Sequence, residues 1–93
     1  MLFFVKIRLD VDQLIEYGKK LQSGEIHTHP VSTYCLKGDP TVGLNIWEAE
    51  DQETLNKVLA PHQPYYSEIM EIAAVIFPQA AQQILLERLS RKK

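Results

Sequence analysis

The chain opens on strict alternation. From Leu2 to Leu9, Phe3, Val5, Ile7 and Leu9 share one parity, while Phe4, Lys6 and Arg8 share the other. A period of two predicts a strand with one apolar face. At Asp10 the period changes. Val11, Leu14, Ile15, Gly18 and Leu21 recur at helical spacing, with Asp10 as N-cap and Gln13 three residues on as its capping-box partner. This predicts a helix to about Gln22, ended by Ser23-Gly24. Glu25 to Pro30 is polar and reads as loop. Val31 to Lys37 and Val42 to Glu50 read as strands around a Gly38-Asp39-Pro40 turn, close enough to pair antiparallel.

Asp51 is positioned to cap a second helix, about Gln52 to Ala60, with Leu55, Val58 and Leu59 on its apolar side. Pro61 and Pro64 then keep the helix from continuing, so His62 to Tyr66 reads as an irregular bend. Ile69 to Phe77 is apolar except at Glu71 and reads as a fourth strand. Pro78 then starts a last helix, whose expected buried stripe is Ala81, Ile84, Leu85 and Leu89. The order β-α-β-β-α-β plus a helix is the ferredoxin-like α+β pattern: one four-stranded, largely antiparallel sheet with helices on one face.

The second sheet face is the anomaly. An antiparallel sheet covered on one side normally shows water a polar surface. Here the fourth strand is apolar on both parities, and the third carries Leu44 and Ile46 against Trp47. Two helices shield one face only. A two-fold homodimer, sheet against sheet, is the simplest completion, with the last helix folding over the face of a monomer as the other.

Composition narrows the function classes. Ninety-three residues make one domain, and a lone domain of this size gains from a partner subunit. Ten Lys and Arg against twelve Asp and Glu give a net charge of −2, which argues against nucleic acid as a partner. The one cysteine, Cys35, excludes an internal disulfide and a Cys-built zinc site. No run approaches a membrane span, and a cytoplasmic protein is expected. No phosphate loop, dinucleotide fingerprint or nucleophile elbow is present, and no cofactor is expected.

Several residues could carry chemistry. Lys6 and Arg8 beside Phe4 could stabilise a carboxylate or enolate in a closed barrel, or instead pair with Glu71 or Glu48 across the sheet. Trp47, Tyr34, Tyr65 and Tyr66 could line an aromatic pocket or fill core and interface. Either parity of the third strand could face inward. His62, flanked by Pro61 and near Tyr65 and Tyr66, is the acid–base candidate. His27 and His29 offer two ligands, too few for a tight metal site, and read as solvated loop. Cys35 is expected to be buried and inert.

Two stretches resemble known proteins. Met1-Leu2-Phe3-Phe4-Val5-Lys6 resembles the start of muconolactone isomerases. Gly43 to Asp51, with the helix after it and Ala60-Pro61-His62, resembles the dimeric α+β barrel superfamily, which includes antibiotic-biosynthesis-type monooxygenases. The resemblance spans residues 2–78. It implies two sheets packed face to face, a pocket in each subunit, and Lys6, Trp47 and His62 near it. Haem-degrading members carry an Asn, a Trp and a His, but this first strand has no Asn and His62 lies fifteen residues beyond Trp47. Phe4 stands where the isomerases have His.

Three functions are expected on this basis. The first is a homodimer binding a small aromatic or anionic molecule, with Phe4, Lys6, Arg8, Tyr34, Trp47 and Tyr66 as ligand-binding candidates. The second is a cofactor-independent monooxygenase or isomerase acting on an enolisable or phenolic substrate. In it Lys6 or Arg8 would hold an oxyanion and His62 or a tyrosine would move the proton. The third is a structural or regulatory dimer with a filled barrel.

Overall fold

A computed structural model describes residues 1–91. β1 (Leu2–Leu9) pairs antiparallel with β3 (Asp39–Glu48), setting Phe3 opposite Trp47, Val5 opposite Asn45 and Ile7 opposite Gly43. Directly opposed residues point to the same face of a sheet. One face is therefore the odd positions of both strands, and it is the buried one. β2 (Ser32–Leu36) flanks β3, and β4 (Tyr66–Val75) flanks β1, giving the order β2-β3-β1-β4, antiparallel throughout. With α1 (Leu14–Ser23), α2 (Gln52–Leu59) and α3 (Pro78–Arg91), the chain has the ferredoxin-like α+β architecture with a C-terminal helix.

The core lies between the sheet's odd face and α2. Phe3, Val5, Ile7, Trp47 and Ala49 pack with Leu55 and Leu59, with Val58, Tyr66, Ile69 and Ile72 around them. Asp51 holds α2 in place: its extended backbone lets Oδ1 accept from the Thr54 amide at 2.8 Å.

Several boundaries and faces differ from the sequence pattern. Val11–Gln13 forms a 3-10 turn before α1. Asp10 accepts from the Asp12 amide at 3.1 Å, and the Gln13 amide bonds the Asp10 carbonyl, so the backbone does the work expected of a capping box. Gly24 ends α1 at φ 82°, where a Cβ would be strained. The β2–β3 turn is Lys37-Gly38, and β3 begins already at Asp39. β4 starts at Tyr66, three residues before the apolar run, and register shifts opposite β1 bring Ile69 and Ile72 onto the helix side, facing Ile7 and Val5.

The expected buried stripe of α3 is not buried in the single chain, and α1 packs by only part of its apolar side. On α1, Ile15 is 78% exposed and Leu14 is exposed too; of the spaced residues Leu21 faces the sheet, joined by Tyr17. On α3, Ile84, Leu85 and Leu89 are exposed, Leu85 at 59%, and only Ala81 is half-buried. α3 runs off the sheet instead of folding over its second face. The radius of gyration is accordingly 16.4 Å, against about 12 Å for a compact chain of this length. Cys35 is exposed, because β2 is a short edge strand that the helices do not cover.

Leu55 is fully buried at the centre of the core. Leu55→Ala should lower the unfolding free energy by about 3 kcal/mol, read as a reduced urea midpoint at unchanged slope.

Candidate functional site

A cavity of about 290 Å³ opens between the sheet's odd face and α1. Its walls come from distant parts of the chain. β3 contributes Asn45 and Trp47, α1 contributes Tyr17 and Leu21, β4 contributes Tyr66, and the turn after α2 contributes His62. Thr33 and Cys35 form part of the wall on β2, with His29 and Pro30 beside them. Gly43 keeps the floor open: a Cβ there would lie 3.0 Å from Ile7 Cδ1.

His62 is built in by the two prolines that interrupt the chain. Its amide bonds the Leu59 carbonyl at 2.9 Å, and a short 3-10 turn, Gln63–Tyr65, comes directly after it. The ring is buried, with the residue 1% exposed. Its hydrogen bonds fix the tautomer. Nε2 lies 2.9 Å from the Thr28 carbonyl oxygen, which can only accept, so Nε2 carries the proton. Nε2 is also 2.9 Å from Thr28 Oγ1, whose own hydrogen goes to the Val58 carbonyl at 2.8 Å. Nδ1 is left as an acceptor, and the Tyr17 hydroxyl donates to it at 2.5 Å.

The aromatic rings lock this arrangement. Tyr17 stacks on Tyr65 at 4.9 Å, and Trp47 meets the His62 ring edge-on at 5.1 Å. The Tyr66 ring stands edge-on to Tyr17 at 6.2 Å and stacks on His62 at 6.3 Å. The Asn45 Oδ1 accepts from the Thr33 hydroxyl across the β2–β3 pair. One buried polar atom among the described residues has no partner: Trp47 Nε1, on a residue 2% exposed.

Electrostatics reflect burial. Desolvation pushes the His62 imidazole below its ordinary 6.5, against the Thr28 carbonyl, which raises it. Burial raises the Tyr17 phenol, and burial together with the bond to Tyr17 raises that of Tyr66 strongly. No Lys, Arg, Asp or Glu lines the cavity among the described residues. Chemically, the site offers a largely apolar space of about 290 Å³, an unpartnered indole N–H in its wall, and a neutral imidazole bonded to one hydroxyl.

Strand parity divides the candidate residues. Trp47, His62 and Tyr66 come together at the cavity. Phe4, Lys6 and Arg8 lie on the even parity of β1, and Tyr34 stands opposite Leu44, so all four belong to the other sheet face. Lys6 and His62 are therefore on opposite sides of the sheet. Arg8 is held by Asp39 at 3.0 Å and Glu68 at 3.3 Å, not by Glu71 or Glu48, and Lys6 faces Glu71 across β1–β4. Tyr65 stacks behind Tyr17. His27 is exposed in the loop. Tyr17, Thr28 and Asn45 are additions that sequence reading missed. Asn45 had a signal, since it shares the parity of Trp47 two residues away.

Compared with known proteins, the sequence matches no protein family and no curated relative. Among solved structures it is similar to TftG, the 5-chloro-2-hydroxyhydroquinone dehydrochlorinase of Burkholderia phenoliruptrix, determined in complex with 2,5-dihydroxybenzoquinone. The TM-score is 0.60 over 86% of this chain and 98% of that one. The two chains share a fold. At 12% identity, the likeness extends to architecture and no further. No helix among the described residues is long and apolar enough to cross a membrane.

The lowered His62 pKa makes stability depend on pH. The folded chain keeps His62 neutral where the unfolded chain would protonate it, so this contribution is complete above 6.5 and declines as pH falls below that value. Asp39 and Asp51, whose carboxyls are held low by Thr41 and Thr54, add losses only below their ordinary 3.8. The urea midpoint should fall between pH 7 and pH 5, and His62→Gln should flatten that slope. An unchanged slope in the variant would assign the pH dependence elsewhere.

Proposed function

We propose that this chain binds a small aromatic molecule in the cavity between the sheet and α1. The observation that carries the reading is the wall itself: Trp47, His62, Tyr66 and Tyr17 surround about 290 Å³ and leave a buried indole N–H unused. That volume is near the lower end of ligand pockets and suits a single substituted ring. The neighbour TftG, which holds a dihydroxybenzoquinone, gives the same fold a precedent for such a ligand.

The proposal includes a homodimer formed through the open sheet face. Phe4, Leu44, Ile46, Ala73 and Val75 are not covered by α1 or α2, and Ile84, Leu85, Leu86 and Leu89 of α3 are exposed. From strand spacing, the face measures about 500 Å², so two copies would bury about 1,000 Å², the floor for a stable interface. The apolar side of α3 adds to it. A second copy supplies equal areas of the same character, as two-fold association requires.

Trp47 is the only tryptophan, so its fluorescence reports the cavity directly. Hydroquinone should quench it saturably, and Cys35→Phe, which fills the cavity wall at an exposed position, should weaken that binding at least tenfold. Linear, collisional quenching alike in both proteins would remove the ligand reading. Sedimentation should give a dimer at micromolar concentration and a monomer for Ile46→Asp. A wild-type monomer at every concentration would remove the assembly reading.

A further inference from the structure

We propose that the cavity selects uncharged aromatic compounds bearing an acceptor oxygen, such as quinones, aryl ethers and un-ionised phenols, and excludes their phenolate and carboxylate counterparts. This rests on the ligand reading above and narrows it. Three hydrogens of the site are already committed. The Thr33 hydroxyl donates to Asn45, the Tyr17 hydroxyl to His62, and the His62 N–H to the Thr28 carbonyl. These donors have acceptors inside the protein. Trp47 Nε1 has none, although its residue is 2% exposed and lines the cavity. A buried donor without a partner retains its desolvation penalty until an acceptor arrives. A ligand whose oxygen reaches that N–H relieves the penalty.

Charge is excluded by the same wall. The ionisable groups around the space are Tyr17, His29, Cys35, His62 and Tyr66. None is a fixed cation. His62, the innermost, has its ring N–H turned to Thr28 and away from any ligand, and burial disfavours its second proton. The two chain cations nearest in sequence pattern, Lys6 and Arg8, stand on the other sheet face, and Arg8 is already engaged by Asp39 and Glu68. An anion entering the cavity would lose its water and meet only neutral donors in return. An unpaired buried charge is strongly unfavourable. A neutral ring loses little.

Three matched nitroarenes test this on the wild-type protein, read by Trp47 fluorescence between pH 6.5 and 8.5. 4-Nitroanisole is neutral throughout and should bind with a constant Kd. 4-Nitrophenol ionises within the range, and its Kd should rise by about tenfold per pH unit once it is mostly phenolate. 4-Nitrobenzoate should show no saturable binding. Trp47→Phe, followed by calorimetry, should weaken 4-nitroanisole about tenfold; the wild-type series stands alone where that variant does not fold. Phenolate binding as tight as phenol, or saturable nitrobenzoate binding, overturns the charge rule while leaving the ligand reading intact. Failure of all three together with hydroquinone overturns both.

Discussion

The pairing of Phe3 with Trp47 decides the rest of this molecule. Because opposed residues share a face, that register places every odd residue of β1 and β3 on the helix side at once. Trp47 becomes a cavity wall, Asn45 becomes its neighbour, and Gly43 leaves the floor open. The same register sends Phe4, Lys6 and Arg8 outward. A slip of one residue would exchange an aromatic, uncharged cavity for a cationic one.

His62 is the second point of convergence. It sits one turn beyond α2, where Pro61 and Pro64 prevent the helix from continuing, and it bonds residues from two other parts of the chain. Its neutrality and its tautomer have one origin. A carbonyl acceptor on one nitrogen and a phenol donor on the other satisfy a ring that has no access to water. The polar groups around the His62 ring thus form a closed set, with the indole of Trp47 outside it.

Much of the architecture was legible from periodicity. β1 matched the alternation, α2 began at its Asp51 cap, and Pro78 marked the start of α3. Faces were harder to read than elements. β3 is apolar on both parities, so nothing local distinguished the Trp47 side from the Leu44 side until β1 was paired with it. The helical stripe on α3 was real, but a stripe records only that a partner is wanted, not that the same chain provides one. The site was half legible. Trp47, His62 and Tyr66 were identifiable as residue types, whereas Tyr17 and Thr28 meet His62 through bonds spanning 45 and 34 residues, beyond the reach of any local pattern.

The projecting α3 has a consequence for how the protein behaves when diluted. A segment of fourteen residues without tertiary support is near the length at which helix and coil are balanced in water. Its own backbone hydrogen bonds then confer little protection, and its amides would exchange with solvent almost as freely as those of an unfolded peptide. Packing against a second copy, as proposed, would change that at a stroke, and amide protection along this segment would then gauge the association independently of whether the cavity is filled.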